Sequence, residues 1–221
     1  MTKLSGPMHA PANGQAPDTA VILLHGYGSD GNDLIGLAPH WQGILPSALF
    51  LSPNAPDAAD MTGFGYQWFR IDWAGDRLAS RQTGVIKARP VVLELLEDLW
   101  AQTGILPERT ILGGFSQGAM MALHVGLSLP ADKRLMGVIA VSGAFLPPEG
   151  FGGGGLAKPP VCLVHGDRDE VVHPEHSAEA DALLRNAGYD VSYHVSPGVG
   201  HGISPDGLAY ITDFIGKVAA K

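Results

Sequence analysis

The chain has 221 residues, of which 45% are hydrophobic and 16% are charged, a balance that excludes a disordered protein. The formal net charge is -8, from 14 basic and 22 acidic residues, which disfavours a nucleic-acid partner and stable association with an anionic membrane. This length suits one domain, and we expect residues 1–221 to form a single one.

The N-terminal stretch MTKLSGPMHAPANGQ lacks the apolar core of a signal peptide. No run in the sequence approaches the ~18 apolar residues of a membrane span. We therefore expect a cytoplasmic protein. The single cysteine, Cys162, lies in the apolar stretch PPVCLVHG, which indicates a buried core residue and not a reactive thiol.

Short apolar runs alternate with longer helical patterns along the chain. The runs predict strands at AVILLHG (20–26), ALFLSPNAP (48–56), RTILGGFS (109–116), LMGVIAVSGA (135–144), PVCLVHGD (160–167) and VSYHVSPG (191–198). Helices are predicted at 90–103, 117–128, 174–188 and 205–219. Pro90 either starts the first helix or kinks one that begins earlier. The alternation predicts a mostly parallel central sheet flanked by helices on both faces.

The stretch GGFSQGAM (113–120) places Ser116 between Gly114 and Gly118, where a predicted strand meets a predicted buried helix. A Gly-x-Ser-x-Gly motif at such a junction is typical of a nucleophile elbow. The sharp turn exposes the hydroxyl, and the helix N-terminus offers free N–H groups. The alternative is a glycine-rich turn that happens to contain a serine, because the motif is short. The junction favours the catalytic interpretation.

A serine hydroxyl is a weak nucleophile and needs a general base, oriented in turn by an acid. In hydrolases with this motif, the acid and then the histidine follow the serine along the chain. His201 lies in SPGVGHGI (196–203), directly after the last predicted strand. The loop HGDRDEVV (165–172) offers Asp167 and Asp169. Asp169 is favoured because it extends further into the loop, and Asp167 remains the alternative.

The other histidines have simpler explanations. His25 and His165 each end a predicted strand, where a histidine can anchor a turn, and His124 lies within the apolar helix. His173 and His176 have the spacing i, i+3, which is a weak metal signal without further ligands beside it. We therefore predict no metal site.

The loop LLHGYGSDGND (23–33) follows the first long predicted strand. An oxyanion hole takes one N–H from the residue after the nucleophile and a second from such an early loop. We therefore expect the backbone N–H groups of Gln117 and Tyr27 to be the donors. The alternative is a glycine turn that only connects the strand to a helix.

The segment 57–82 has no clear regular pattern, yet FGYQWFRIDW (64–73) holds five of the chain's 16 aromatic residues. These aromatic side chains either plug the edge of the sheet or form one wall of a substrate pocket. Ligand pockets are largely apolar and aromatic, which supports the second interpretation. The candidate pocket residues are Phe64, Tyr66, Trp68 and Phe69.

Four motifs in order, LLHGYGSDGNDL, GGFSQGAM, HGDRDEVV and GVGHGI, resemble the phospholipase/carboxylesterase family of α/β-hydrolases. The resemblance extends from about residue 18 to 216. It implies an α/β-hydrolase fold with little or no lid, no cofactor, and a catalytic triad of Ser116, Asp169 and His201. The family pattern His-Gly-x-x-Asp-x-Val-Val falls on Asp169, which decides between the two aspartates. Tyr27 and Gln117 correspond to the family's backbone donors.

The chain also departs from the family pattern. Family members usually carry a leucine at the position of Tyr27. The different side chain affects the acyl pocket, whereas the backbone N–H donor at this position does not depend on the side chain. His173 intervenes where the pattern usually continues directly with proline. A Trp-aromatic pair in the equivalent stretch of the family, here Trp68 and Phe69, supports the pocket interpretation.

The resemblance implies a serine hydrolase that works through an acyl-enzyme intermediate, and the first expectation for its substrates is small soluble carboxylic esters. The alternatives are a lysophospholipase or an acyl-protein thioesterase, which use the same chemistry, and a non-catalytic binding module on the same fold. The expected partner is a small-molecule ester. The sequence is compatible with a homodimer and determines neither the oligomeric state nor the acyl-chain length.

Overall fold

The computed structural model describes residues 4–72 and 74–220. Its centre is a seven-stranded sheet in the order β1-β3-β2-β6-β7-β8-β9. The strands are β1 (Met8–His9), β2 (Thr19–Leu24), β3 (Ala48–Leu51), β6 (Thr110–Phe115), β7 (Gly137–Val141), β8 (Val161–Gly166) and β9 (Val191–Ser196). All neighbouring pairs are parallel except β1 with β3 at one edge. Two further strands, β4 (Asp57–Ala58) and β5 (Tyr66–Gln67), form a separate antiparallel hairpin.

Helices cover both faces of the sheet, as predicted. They are α1 (Gly31–Ile35), α2 (Ala38–Trp41), α3 (Arg77–Thr103), α4 (Gln117–Gly126), α5 (Glu175–Asn186) and α6 (Pro205–Ala219). One apolar core lies under α3, α4 and α5, and a second lies under α1, α2 and α6. We call these sides the first face and the second face of the sheet.

Strand β2 explains why the predicted strands lack polar alternation. Ala20, Ile22 and Leu24 pack into the core of the first face, whereas Val21 and Leu23 pack into the core of the second face. Successive side chains of a strand point to opposite faces, so a strand covered on both sides is apolar throughout. The observed mostly parallel sheet with helices on both faces is an α/β-hydrolase fold.

The long helix α3 begins well before Pro90, so the prediction of a helix over 90–103 was too short. Asp76 caps its N-terminus by accepting a hydrogen bond of 3.0 Å from the Ala79 N–H. The helix ends where Gly104 adopts a left-handed conformation. The first turns of α3 expose apolar side chains such as Leu78 and Ile86, which obscured the helical period in the sequence.

The predicted irregular segment 57–82 also contains the β4–β5 hairpin, which the sequence did not indicate. Two residues from an adjacent loop extend its pairing, because the N–H of Gly28 donates to the Tyr66 carbonyl and the N–H of Tyr66 donates to Ser29. Trp73, the last aromatic residue of the segment 64–73, lies outside the described residues. None of the described helices is long and apolar enough to cross a membrane.

The parallel strands bring four loops to one edge of the sheet. The chain leaves β2, β6, β8 and β9 at their carboxyl ends, and these strands point in the same direction. Ligands of open α/β sheets bind at this carboxyl edge. The loops after these four strands therefore meet where a site is expected.

Cys162 lies in the middle of β8 and is fully buried. Burial raises the pKa of its thiol to about 12, although the nearby Lys217 favours the thiolate. The thiolate is the reactive species.

We expect Cys162 in the folded protein not to react with Ellman's reagent near neutral pH. After denaturation in guanidinium, the same reagent should detect one thiol per chain. Rapid reaction of the folded protein would contradict this assignment.

Candidate active site

Ser116 occupies a sharp turn between β6 and α4. Its backbone angles are φ 53° and ψ −115°, in a region that residues other than glycine rarely adopt. Both backbone polar groups of Ser116 are hydrogen-bonded, which stabilises the turn. The Ser116 N–H donates to the Val141 carbonyl over 2.8 Å, and its own carbonyl accepts from the Met120 N–H over 3.1 Å. This conformation is that of a nucleophile elbow.

Two glycines allow α4 to approach the strands so closely. A Cβ atom on Gly114 would collide with the backbone of Gly118, and a Cβ atom on Gly118 would collide with the Leu24 carbonyl of β2. The glycines of the Gly-x-Ser-x-Gly motif are therefore required by packing as well as by the turn.

The structure brings Ser116, His201 and Asp169 into one chain of hydrogen bonds. His201 Nε2 lies 3.0 Å from Ser116 Oγ, and His201 Nδ1 lies 2.7 Å from Asp169 Oδ2. A carboxylate only accepts, so the Nδ1–H of His201 donates to Asp169. The lone pair of Nε2 then faces the serine hydroxyl. This arrangement can remove a proton from Ser116.

The Asp169 carboxylate is itself held in place. Its Oδ1 accepts hydrogen bonds of 2.9 Å from the N–H groups of both Val171 and Val172. Burial alone would raise the pKa of this carboxyl group. The hydrogen bonds from His201 and from the two backbone N–H groups outweigh burial and lower the pKa below its usual value. Asp169 is therefore ionised at neutral pH.

The second candidate aspartate points elsewhere. Asp167 is exposed, and its Oδ1 accepts a hydrogen bond of 2.6 Å from the Gly198 N–H. This contact joins the loop after β8 to the loop that carries His201. The structure thus brings Asp169 to His201 and gives Asp167 a role in the turn.

His165, interpreted from the sequence as a turn anchor, lies directly beneath Asp169. Its Nε2–H donates to the Val172 carbonyl over 2.8 Å, and its Nδ1 accepts from Ser177 Oγ over 2.6 Å. Burial lowers the pKa of this histidine, so it remains neutral. Its Nε2 is also 3.2 Å from Asp169 Oδ2. The sequence placed His165 at a strand end but gave no sign of this contact.

The two predicted oxyanion donors belong to different segments, the start of α4 and the loop after β2. Gln117 is the first residue of α4, so its N–H has no acceptor within the helix. Its side chain is buried and binds the aromatic segment. Oε1 accepts from the Trp68 N–H over 2.8 Å, and Nε2 donates to the Phe69 carbonyl over 2.7 Å.

The loop that carries Tyr27 is fixed by the buried His25. His25 Nδ1–H donates to the Gly26 carbonyl over 2.7 Å, and Nε2 accepts from the Ala55 N–H over 3.0 Å. Burial lowers the pKa of His25, which keeps the ring neutral and both contacts intact. The Trp68 indole donates to the His25 carbonyl over 2.9 Å. These contacts position the backbone of Tyr27 beside the elbow.

The Tyr27 side chain contacts the connection between β4 and β5. Its hydroxyl donates to Asp60 Oδ1 over 2.5 Å and accepts from the Met61 N–H over 2.9 Å. A leucine at this position could make neither hydrogen bond. Tyr27 therefore links the predicted oxyanion loop to the hairpin.

The four predicted pocket residues occupy different environments. Phe64 is 73% exposed at the hairpin and Tyr66 is partly exposed, whereas Trp68 and Phe69 are buried. Trp68 and Phe69 line a groove of about 750 Å³ beside α3, and none of its described lining residues belongs to the hydrogen-bonded chain at Ser116.

His201 borders a different cleft, of about 330 Å³, on the second face of the sheet. Its apolar walls are Leu34, Leu37, Phe115 and Ile203. The sequence did not reveal this cleft, because its residues come from three separate segments and carry no common motif.

The remaining histidines show no sign of a metal centre. His124 is buried in α4 and donates from Nδ1 to the Leu146 carbonyl over 2.8 Å. On the surface, Nε2 of His194 lies 2.8 Å from Oδ2 of Asp206. Across residues 4–72 and 74–220, no three histidine, cysteine or acidic side chains form a group that could hold a metal ion.

Comparison with known proteins agrees with this fold. The phospholipase/carboxylesterase family model matches residues 10–219. Acyl-protein thioesterase 1 of Gibberella zeae is 31% identical, over 96% of this chain and 94% of that protein. Esterase YpfH of Escherichia coli is 29% identical, over 91% of this chain and 85% of that protein.

Solved structures of similar proteins have the same fold. The crystal structure of esterase PE8 superposes with a TM-score of 0.92 at 47% identity, covering 98% of this chain and 99% of that one. The Bacillus cereus carboxylesterase, at 20% identity and a TM-score of 0.78, shares the fold over 98% of this chain and 95% of that one. Because the family model spans nearly the whole chain and the relatives are esterases and thioesterases, the chain belongs to the phospholipase/carboxylesterase family and is a hydrolase of the esterase and thioesterase class.

Proposed function

We propose that this protein is a serine carboxylesterase that hydrolyses small soluble esters through an acyl-enzyme intermediate on Ser116. The observation that carries the proposal is the continuous chain of hydrogen bonds from Asp169 through His201 to Ser116. A serine hydroxyl needs such a base to become nucleophilic at neutral pH.

In the acylation step, Ser116 Oγ attacks the ester carbonyl carbon while His201 Nε2 takes the hydroxyl proton. Asp169 keeps Nδ1 protonated and stabilises the imidazolium that forms. The negative charge moves to the carbonyl oxygen, where the N–H groups of Gln117 and Tyr27 are the proposed donors. When the tetrahedral intermediate collapses, His201 returns the proton to the departing alkoxide, and the alcohol leaves.

Deacylation repeats these steps with water as the nucleophile. His201 takes a proton from the water, which attacks the acyl carbon, and the same N–H groups bind the new oxyanion. Collapse releases the carboxylic acid as Ser116 Oγ regains its proton from His201. The side chain of Gln117 supports both steps by fixing the segment of Trp68 and Phe69 against the elbow.

A preference for short acyl chains is expected because no segment of the sequence resembles a large lid or a membrane-binding amphipathic segment. The net charge of -8 also disfavours adsorption on anionic lipid. Thioester hydrolysis is the second candidate, because several relatives are named acyl-protein thioesterases and the same steps apply to a thiol leaving group.

The first prediction concerns the nucleophile. Ser116→Ala should lose about 10⁶-fold in turnover of p-nitrophenyl acetate, because no other group at the elbow can form the acyl-enzyme. The parent should react with a fluorophosphonate probe, and the variant should not. Circular dichroism checks that the variant is folded. A purified variant within tenfold of the parent would remove the basis of the whole proposal.

The second prediction separates the two loop aspartates. Asp169→Asn should lower ester turnover by roughly 10⁴-fold, because an amide favours the wrong tautomer of His201. Asp167→Asn is the matched control. Its amide oxygen can still accept from Gly198, so we expect a loss below about tenfold. Turnover near neutral pH and thermal melting are measured for both. A severe loss in Asp167→Asn alone would show that Asp169 has been given the wrong role.

The third prediction concerns substrate class. Across p-nitrophenyl esters from acetate to palmitate, measured below micelle formation, kcat/KM should be highest for the short acyl chains. An S-palmitoylated peptide should be a poorer substrate than p-nitrophenyl acetate. A steady rise in kcat/KM toward the longest chain would favour a lysophospholipase or an acyl-protein thioesterase instead.

A further inference from the structure

The cleft beside His201 has an apolar interior and an acidic rim. Leu34 and Leu37 contribute one wall from the region of α1 and α2, and Phe115 and Ile203 contribute the other. All four pack with the core of the second face. Asp33, at the start of α1, completes the lining as an exposed carboxylate.

This cleft lies next to the atoms that are proposed to react. Phe115 directly precedes Ser116, and its ring centroid is 4.8 Å from that of His201. Ile203 follows His201 by two residues. The segment of Trp68 and Phe69, in contrast, packs with the core of the first face. Apolar surfaces therefore flank the elbow on both sides, and His201 borders the one on the second face.

The chemistry assigns a different part of the ester to each side. In acylation, His201 Nε2 must deliver its proton to the leaving oxygen, so that oxygen lies within hydrogen-bond reach of His201. The cleft, which His201 itself lines, offers apolar space to the substituent on the leaving oxygen. The acyl substituent leaves the same carbon in another direction.

We propose that the cleft formed by Leu34, Leu37, Phe115 and Ile203 binds the leaving alcohol of the ester, and that Asp33 favours a neutral or cationic alcohol over an anionic one. This inference rests on the proposed catalytic roles of Ser116 and His201. It names the alcohol, and not the acyl group, as the part of the substrate that this cleft selects.

The role of Asp33 follows from its fixed position and from the charges around it. Its Oδ2 accepts a hydrogen bond of 2.9 Å from Ser29 Oγ, which orients the carboxylate. Apart from His201, the lining residues in the described part of the chain include no basic side chain. A carboxylate at the mouth of an apolar cleft attracts a cationic alcohol and repels a phosphate-bearing one. Glycerophosphate esters should therefore be poor substrates.

The first experiment uses two isomeric esters of equal composition, butyl acetate and ethyl butyrate. Leu37→Trp fills the cleft from a half-buried position. It should lower kcat/KM for butyl acetate about tenfold, the size expected when a pocket loses room for a methylene group or two. It should change kcat/KM for ethyl butyrate less than about twofold. The control is Leu183→Trp on α5, where the leucine is exposed on the other face.

The second experiment isolates charge with acetylcholine and its neutral isostere, 3,3-dimethylbutyl acetate. The ratio of their kcat/KM values is compared between enzymes, so that the intrinsic reactivities of the two esters cancel. Asp33→Asn should lower the ratio roughly threefold, the size typical of an exposed charge pair. Asp132→Asn removes the same charge from an exposed site before the amino end of β7, and should leave the ratio unchanged.

The outcomes separate this inference from the proposed function. If the parent hydrolyses both isomers and Ser116→Ala does not, the proposed function stands. A loss in Leu37→Trp that is equal for the two isomers, or larger for ethyl butyrate, then overturns the alcohol assignment alone. An unchanged charge ratio in Asp33→Asn overturns the role of Asp33. Because Asp33 is exposed, this variant should fold even if Leu37→Trp does not.

Discussion

The close approach of α4 to the strands is the constraint on which the site depends. Gly118 lies against the carbonyl of Leu24, and Gly114 lies against the backbone of Gly118, with no room for a side chain at either position. This packing forces the chain to turn within one residue, so Ser116 takes a positive φ of 53°. The same turn points the N-terminus of α4 at the place where an oxyanion would form. A wider helix-to-strand distance would separate the hydroxyl from the helix N–H groups.

Above this junction, the loops are fixed by buried groups that stay neutral. His25 holds the loop of Tyr27, and His165 holds the loop of Asp169, each with both ring nitrogens hydrogen-bonded. Burial lowers the pKa of both histidines, which prevents a charge from disrupting these contacts. His201 differs because one nitrogen faces a carboxylate and the other a hydroxyl. Three histidines at one edge of the sheet thus have different roles because their partners differ.

The two faces of the sheet give the site two unlike sides. On the first face, the side chain of Gln117 and the indole of Trp68 tie the aromatic segment to the elbow and to the loop of Tyr27. The phenol of Tyr27 extends this network to the hairpin through Asp60 and Met61. The second face offers an open cleft with few polar groups. A substrate that reacts at Ser116 therefore meets a hydrogen-bonded wall on one side and an apolar cleft on the other.

The sequence by itself determined the fold class, the family and the residues that meet at the carboxyl edge. These features have local signals. Apolar runs mark strands, and the parallel order of the sheet brings each strand-end loop to the same edge. Ser116, Asp169 and His201 were predicted in this way, and the structure places His201 within hydrogen-bond distance of both Ser116 and Asp169. Among these three residues, the resemblance to a family decided only between Asp169 and Asp167.

Only the tertiary structure decided the features that join distant segments. The β4–β5 hairpin, for example, pairs with the loop of Gly28, which lies far from it in the sequence. The contact of His165 with Asp169 and the two hydrogen bonds of the Gln117 side chain have no sequence signature. The cleft beside His201 is built from residues of α1, the end of β6 and the loop after β9. The hairpin pairing, these side-chain contacts and the cleft all depend on residues that are far apart in the chain, so no local pattern of residues could predict them.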